Sequence, residues 1–303
     1  MESIFVAEPV ISLAISIRKQ ADRDKLSKAL NRFSKEDPTF HVRTDEESGE
    51  TLIAGMGELH LDVYVERLKR EYKLEIDVGA PQVTYRESPG KETAFDHKHK
   101  KQTGGSGQYA HVIGKMIPLP EDAPNEYEFE NSVKGGRIPT EYIPSCDKGF
   151  QSARGKGPLA GFEIVRVKMH LEDGTYHAVD SSDLAFQICS RDAFIETFKR
   201  SNPVLLEPIV KVEVEAPVEF QGSIVGDLSG RRGLILGTEN KQNFTLVSAE
   251  VPLANMFGYA TDVRSATQGK GTFSMEFAKY KQCPRDVQER VIEERKKFFA
   301  EKK

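Results

Sequence analysis

The chain has 303 residues, more than one ordinary domain holds, so about two or three domains are expected. With 38% hydrophobic residues it is not a disordered sequence, and no apolar run is long enough to span a bilayer. The net charge is −4, which excludes a small, strongly basic nucleic-acid binder; any RNA contact must come from local patches.

One supersecondary pattern is expected twice. The first copy opens after Val10, where Ile11, Leu13, Ile15 and Ile17 alternate with small or polar residues, the period of a half-buried strand. Asp22 is placed to cap a helix carrying Leu26, Ala29, Leu30 and Phe33, and Pro38 closes that segment. Short strands are expected around residues 40–43 and 51–54, joined by a turn at Ser48-Gly49. A helix over residues 57–72 carries Leu61, Val65, Leu68 and Tyr72, and Leu74, Ile76 and Val78 alternate as a last strand. Strand-helix-strand-strand-helix-strand is the split βαβ, or ferredoxin-like, sandwich.

The middle, about residues 81–208, reads differently. Strand-like stretches surround Phe95, residues 109–117 and residues 162–171, between loops rich in Gly, Lys and Pro. Helices are expected over 140–154 and 182–200, the second with Leu184, Ile188, Ile195 and Phe198 on one side.

The second copy starts near Ile209, with Val210, Val212 and Val214 alternating against Lys211, Glu213 and Glu215. A helix with Phe220, Ile224 and Leu228 follows, then strands at 234–237 and 244–251. Pro252 suits the first turn of a helix carrying Leu253, Met256, Phe257 and Ala260. Phe273, Met275 and Phe277 alternate on a final strand. A very charged helix from Pro284 to about Phe299 has Val287 and Val291 as its few anchors and must pack onto a neighbour.

Several chemistries fail on residue type. Gly149-Phe-Gln-Ser-Ala-Arg-Gly155-Lys156-Gly157 has one residue too many for a phosphate-binding loop, and Gly157 stands where a magnesium-binding hydroxyl is needed. Gln268-Gly-Lys-Gly271 lacks the first glycine. Cys146, Cys189 and Cys283 lie far apart without a paired histidine pattern and read as free thiols, so no metal is expected. Gly55-Met-Gly-Glu-Leu-His60 lacks the second histidine of a zinc helix and reads as a helix start. The start, Met1-Glu-Ser-Ile-Phe5, is no signal peptide, so a cytoplasmic protein is expected.

The informative residues lie in the middle. His97-Lys-His-Lys-Lys101 places Lys98 and Lys100 on one strand face, then enters Gln102-Thr-Gly-Gly-Ser-Gly-Gln108. Lys101 and its neighbours suit phosphates. Gly104, Gly105 and Gly107 with Ser106 bring backbone N–H groups close to a ligand, and Gln108 both donates and accepts. The plainer reading is a solvated hairpin. In Asp173-Gly-Thr-Tyr-His177-Ala-Val-Asp-Ser-Ser-Asp183, Asp173-Gly174 reads as a turn, and Asp180 or Ser181 as a helix cap. Three readings stand open for His177: recognition, structure, or a hydrolytic triad with Asp180 and Ser181. Gly135-Gly136-Arg137, with Arg154 and Lys156 beyond, is either RNA-facing or a linker.

These motifs carry a resemblance. Ile53-Ala-Gly-Met-Gly-Glu-Leu-His-Leu61, Lys101-Gln-Thr-Gly-Gly-Ser-Gly-Gln-Tyr-Ala-His111, Pro139-Thr-Glu-Tyr-Ile-Pro144, Tyr176-His-Ala-Val-Asp-Ser-Ser182, Gly226-Asp-Leu-Ser-Gly-Arg-Arg-Gly233 and Val251-Pro-Leu-Ala-Asn-Met-Phe-Gly-Tyr-Ala-Thr261 resemble bacterial elongation factor G, in order and over nearly the whole chain. The resemblance implies a multidomain α+β fold. Two ferredoxin-like βαββαβ sandwiches, domain III (1–79) and domain V (208–280), flank an elongated α+β domain IV (80–207). Domain IV would carry a left-handed βαβ unit and take back the last helix (281–303).

By the same resemblance, the chain is the part of a ribosomal translocation factor that moves tRNA and mRNA. Tyr176, His177, Asp180 and Ser181, with Lys101 and Gly104–Gln108, would form an RNA-binding tip at the decoding site. Arg264, Gln268 and Lys270 of domain V would approach large-subunit RNA. Partners would be the ribosome and tRNA–mRNA, with no membrane, and the chain a monomer. The nucleotide-binding domain and the following barrel are not in this sequence, so a cut or natural fragment is expected. It would hold no GTP or magnesium and have no enzymatic activity. Rival readings are a paralogue specialised for ribosome recycling, a stand-alone hydrolase using His177 and Asp180, and a ribosomal protection protein, against which the tip loops argue.

Overall fold

The computed structural model describes residues 9, 11–44, 51–79, 82–101, 107–241 and 243–301. In chain order its elements are strand β1 (Ile11–Ile17), helix α1 (Arg23–Glu36), β2 (His41–Thr44), β3 (Thr51–Gly55), α2 (Glu58–Arg70), β4 (Ile76–Val78), β5 (Gln82–Val83), β6 (Arg86–Ser88), β7 (Thr93–Lys101), β8 (Gln108–Pro118) and β9 (Tyr127–Asn131). There follow α3 (Ile143–Ser152), β10 (Val167–Thr175), α4 (Asp183–Arg200), β11 (Val204–Pro217), α5 (Gln221–Gly230), β12 (Leu234–Lys241), β13 (Phe244–Pro252), α6 (Tyr259–Ala266), β14 (Thr272–Gln282) and α7 (Arg285–Glu301). Contacts divide the chain into two compact units. One runs to Thr84 and adds Glu207–Tyr280; the other joins Tyr85–Leu206 to Lys281–Glu301. No described helix is long and apolar enough to cross a membrane.

The first unit holds both sandwiches. The order β2-β3-β1-β4 recurs as β12-β13-β11-β14, the ferredoxin-like arrangement read from the alternation. Ile11, Leu13 and Ile15 face the first core, met by Leu26, Ala29, Leu30 and Phe33 of α1 and by Leu61, Tyr64, Val65 and Leu68 of α2. Phe33 packs against Tyr64 at 5.0 Å between ring centres, and the Arg67 guanidinium lies 4.4 Å from the Phe33 ring. Val210, Val212 and Val214 of β11, with Val247, Ala249 and Val251 of β13, build the matching core of the second copy.

Details depart from expectation. Asp22 occupies the cap position of α1 but makes no side-chain cap bond. The alternation of β4 fails at Val78, which is 40% exposed. Pro252 ends β13, and only a short 3-10 turn, Leu253–Asn255, follows it; Gly258, at φ +75°, starts the real helix, so Tyr259 and Val263 rather than Ala260 face inward. The turn at Ser48-Gly49 lies outside the described residues.

His60 is structural. Its Nδ1 accepts from the Met56 N–H at 3.1 Å, and its Nε2 donates to Asp37 Oδ2 at 2.8 Å. Asp37 also accepts from the Thr39 N–H and hydroxyl and from the Tyr64 hydroxyl. Burial pushes the Asp37 carboxyl up, but these bonds outweigh it and hold its pKa at about 2. In the second copy, Arg231 ties α5 to α6 through Asp227, Asp262 and the Asn255 carbonyl, which gives the Gly226–Gly233 motif a packing role.

In the second unit the sheet runs β7-β8-β10-β9, with β9 parallel to β10 and α3 between them in sequence. Asp173-Gly174 is no turn: both residues lie within β10 beside a register irregularity. Gly174 is required there because a Cβ would stand 2.2 Å from the His111 carbonyl oxygen. The buried face of α4 is Ala185, Phe186, Cys189, Ala193, Phe194 and Phe198; of the expected stripe Phe198 is buried and Ile195 packs on the core, while Leu184 is 56% exposed. The large aromatic surfaces of Phe186 and Phe194 decide that face. The expected strand over 162–171 begins only at Val167. Val287 and Val291 bury α7, and Arg295 of α7 donates to the Ala160 carbonyl and lies 4.9 Å from the Phe162 ring.

Beside that contact Glu87 is fully buried. Its Oε1 accepts from the N–H groups of Ala160 (2.8 Å) and Phe162 (3.1 Å), and its Oε2 from that of Leu159 (3.0 Å). Burial pushes its carboxyl up, against the pull of these amides.

Candidate nucleic-acid interface

The long hairpin β7–β8 pairs Lys101 with Gln108 at its end. Ala110, Val112 and Met116 of β8 are buried, which turns Tyr109 and His111 to the other face. Strand β10 runs antiparallel to β8, and Thr175 at its end stands opposite His111. The segment after Thr175 is therefore delivered beside the hairpin end. The helix that follows is capped by Ser182, whose side chain accepts from the Ala185 N–H, and not by Asp180 or Ser181.

That leaves Asp180 and Ser181 to tie the two loops. The Tyr109 N–H donates to the Asp180 carbonyl at 2.8 Å, and the Ser181 hydroxyl donates to the Tyr109 carbonyl at 2.7 Å. The same hydroxyl oxygen accepts from the His177 N–H at 2.9 Å, and the Ser181 N–H donates to the His177 carbonyl at 3.1 Å. His177 Nδ1 accepts from the N–H groups of Val179 (3.3 Å) and Asp180 (3.2 Å). The His177 side chain remains 54% exposed. Gly107 sits close under the Asp180 side chain: a Cβ on it would stand 2.9 Å from the carboxyl, which would have to shift.

Tyr176, His177, Asp180, Ser181, Gly107 and Gln108 are thus brought to one end of the second unit, with Lys101 on the strand paired to Gln108. Gln108 Oε1 meets His99 Nε2 at 3.0 Å, leaving its amide N–H₂ free of that bond. Lys98, Lys100 and Lys101 are exposed, and Lys98 Nζ lies 5.8 Å over the Tyr109 ring. Gly104, Gly105 and Ser106 lie outside the described residues. Two surface groups were missed by spacing: Val179, 76% exposed, and the Tyr109 backbone, whose role depends on a strand register that no local pattern carries.

Other candidates sort differently. Arg154 donates to the Ile164 carbonyl at 3.0 Å and lies 5.0 Å from the Tyr127 ring, so it is committed to packing. Gly135 and Gly136 both adopt φ +66°, and Arg137 pairs with Asp173. Arg264, Gln268 and Lys270 belong to the first unit, the tip residues to the second. All three are exposed; Gln268 holds φ +54° in the turn after α6, and Lys270 meets Glu219 at 3.3 Å. The hydrolytic triad fails on geometry. The Ser181 hydroxyl points its proton at a carbonyl rather than at the imidazole, so no base stands ready to activate it.

A mixed sheet with a polar end, and ferredoxin-like sandwiches before and after it in the chain, define a multidomain α+β architecture. Three family models match in series: "Elongation Factor G, domain III" over residues 6–80, "Elongation factor G, domain IV" over 81–202 and "Elongation factor G C-terminus" over 204–291. Elongation factor G of Rhodopirellula baltica is 56% identical over 297 residues, covering 98% of this chain and 43% of that protein. Elongation factor G 1 of Syntrophus aciditrophicus is 52% identical over 303 residues, covering 99% of this chain and 43% of that protein. A crystal structure of a protein from Thermus thermophilus superposes with a TM-score of 0.78 at 39% identity, over 97% of this chain and 44% of that one. The chain belongs to the elongation factor G family and spans less than half the length of these relatives.

Proposed function

We propose that this chain is the ribosome-acting portion of a translocation factor, comprising domains III, IV and V, and that its tip enters the small-subunit decoding site as tRNA and mRNA move. The observation that supports this reading is the tie between the two motif loops. Backbone bonds and Ser181 hold the His177 loop against the Gly107-Gln108 end of a lysine-bearing hairpin. His177 and the Gln108 amide offer donors to RNA, and Lys98, Lys100 and Lys101 supply local positive charge on an otherwise acidic chain. The tip acts by occupying a site and making polar contacts, not by covalent chemistry. GTP and magnesium are held by the nucleotide-binding domain of the intact factor. Arg264, Gln268 and Lys270 form a separate contact with large-subunit RNA.

The test places this chain in a full-length elongation factor G, in exchange for the corresponding segment, and follows single-round translocation. His177→Ala is expected to slow it about tenfold, the effect of one lost hydrogen-bond donor. An unchanged rate would remove the tip assignment. Subunit splitting measured in parallel separates translocation from a recycling role.

A further inference from the structure

A ring nitrogen that accepts a hydrogen bond cannot carry a proton, and His177 Nδ1 faces two backbone N–H donors, those of Val179 and Asp180. Asp180 Oδ2 also lies 3.3 Å from Nδ1, which would favour a proton there, but the pair lacks hydrogen-bond geometry. Two aligned amides against one misaligned carboxylate assign the bare nitrogen to Nδ1. The imidazole is then neutral, and its proton sits on Nε2.

The loop that presents these amides is closed by Ser181, which uses its hydroxyl twice, towards the His177 N–H and towards the Tyr109 carbonyl. Tyr109 completes the frame, with its ring centre 6.2 Å from that of His177. Ser181 has therefore spent its proton inside the fold, where it acts as a positioning residue.

We propose that Ser181 and the Val179 and Asp180 amides lock His177 as a neutral imidazole, so that the tip offers one uncharged Nε2–H donor to an acceptor oxygen of the RNA backbone, a phosphate or a ribose hydroxyl. The RNA half of this rests on the reading of the tip given above; the tautomer does not. A neutral donor selects by direction, whereas a cation at this position would attract any phosphate without regard to geometry.

Long-range proton–nitrogen spectra of this chain, labelled with 15N at histidine, report the tautomer directly. Loss of one set of signals in His177→Gln assigns them. Nδ1 is expected as an unprotonated acceptor and Nε2 as protonated. A proton on Nδ1, or on both nitrogens at neutral pH, overturns the proposal even if the tip meets RNA. Ser181→Ala is expected to give a mixture of tautomers and Ser181→Thr a single one, each variant first checked for an unchanged backbone spectrum elsewhere. A single unchanged tautomer in Ser181→Ala overturns the positioning role.

In the full-length chimera, His177→Gln keeps a neutral donor and is expected to translocate within about threefold of the parent, while His177→Lys loses about tenfold. Rescue by Lys and not by Gln overturns the neutral-donor claim, and two unchanged variants overturn its role in RNA contact. Loss of the difference between Gln and Lys on 2′-deoxy codons identifies a ribose acceptor, and loss on methylphosphonate linkages a phosphate. Persistence of that difference on both RNAs overturns the backbone-oxygen partner.

Discussion

Two sites in the second unit use the same device, and burial separates their roles. At Glu87 three backbone N–H groups close on a carboxylate with no exposed surface. At His177 two backbone N–H groups close on a ring nitrogen, but the side chain stays more than half exposed. An amide nest around a sealed acceptor fixes the loop that supplies the amides, here the segment clasped from its other side by Arg295 of α7. The same nest around an exposed imidazole fixes the side chain and leaves its second nitrogen for a partner. The first arrangement serves the fold; on the proposed reading the second serves recognition.

If that contrast holds, damage at Glu87 must appear as lost stability and damage at the tip as lost binding. The largest effect is expected for Glu87→Ala, which leaves one buried and two part-buried donors unpaired and a cavity where the sealed carboxylate stood. About 3–5 kcal/mol should be lost from the unfolding transition of the second unit in urea. Gly174→Ala comes next. Its Cβ would meet the His111 carbonyl at 2.2 Å and Ile138 Cδ1 at 2.6 Å, and overpacking of this kind costs about 1–3 kcal/mol, read from the same transition.

Asp37 provides a third polar centre, in the other unit, and a pH test. Its carboxyl is held at about 2, below the ordinary 3.8. A depressed folded-state pKa favours the ionised form in the native state, so the added stability is present above pH 3.8 and is lost as pH falls towards 2. About 2 kcal/mol is expected from a shift of this size. In Asp37→Asn the urea midpoint of the first unit should drop at neutral pH, and its fall across that acid window should flatten.

The smallest effect on stability belongs to Lys101→Ala, at the exposed hairpin end. Unfolding should not change, while ribosome affinity should weaken at every sequence context and its salt dependence should lose about one unit of slope. A change in stability without a change in salt slope would place Lys101 with Glu87 rather than with His177.

Much of this architecture was legible in sequence because period and topology agree. Ile11, Leu13 and Ile15, and Val210, Val212 and Val214, mark the central strands of two sandwiches with one strand order. What failed was local. Asp22 has the right type for a cap but no bond, and Ser182 took the cap expected of its neighbours. On α4 Phe198 and Ile195 face the core as their spacing predicts, but Leu184 does not, because Phe186 and Phe194 bury more aromatic surface. At the tip the residues were legible as motifs and their bonds were not. Ser181 meets Tyr109, 72 positions earlier in the chain, only through the register of β8 against β10. Glu87 passed unnoticed for the same reason, since its partners lie 72 to 75 residues away.

The central claim, that the tip meets RNA at the decoding site, is tested most directly from Val179, which is 76% exposed and close enough to His177 to report on it. A photoreactive residue placed there in the full-length chimera, irradiated on translocating ribosomes, should crosslink to small-subunit decoding RNA or to the codon–anticodon duplex. Crosslinks confined to ribosomal protein or to large-subunit RNA would contradict the account.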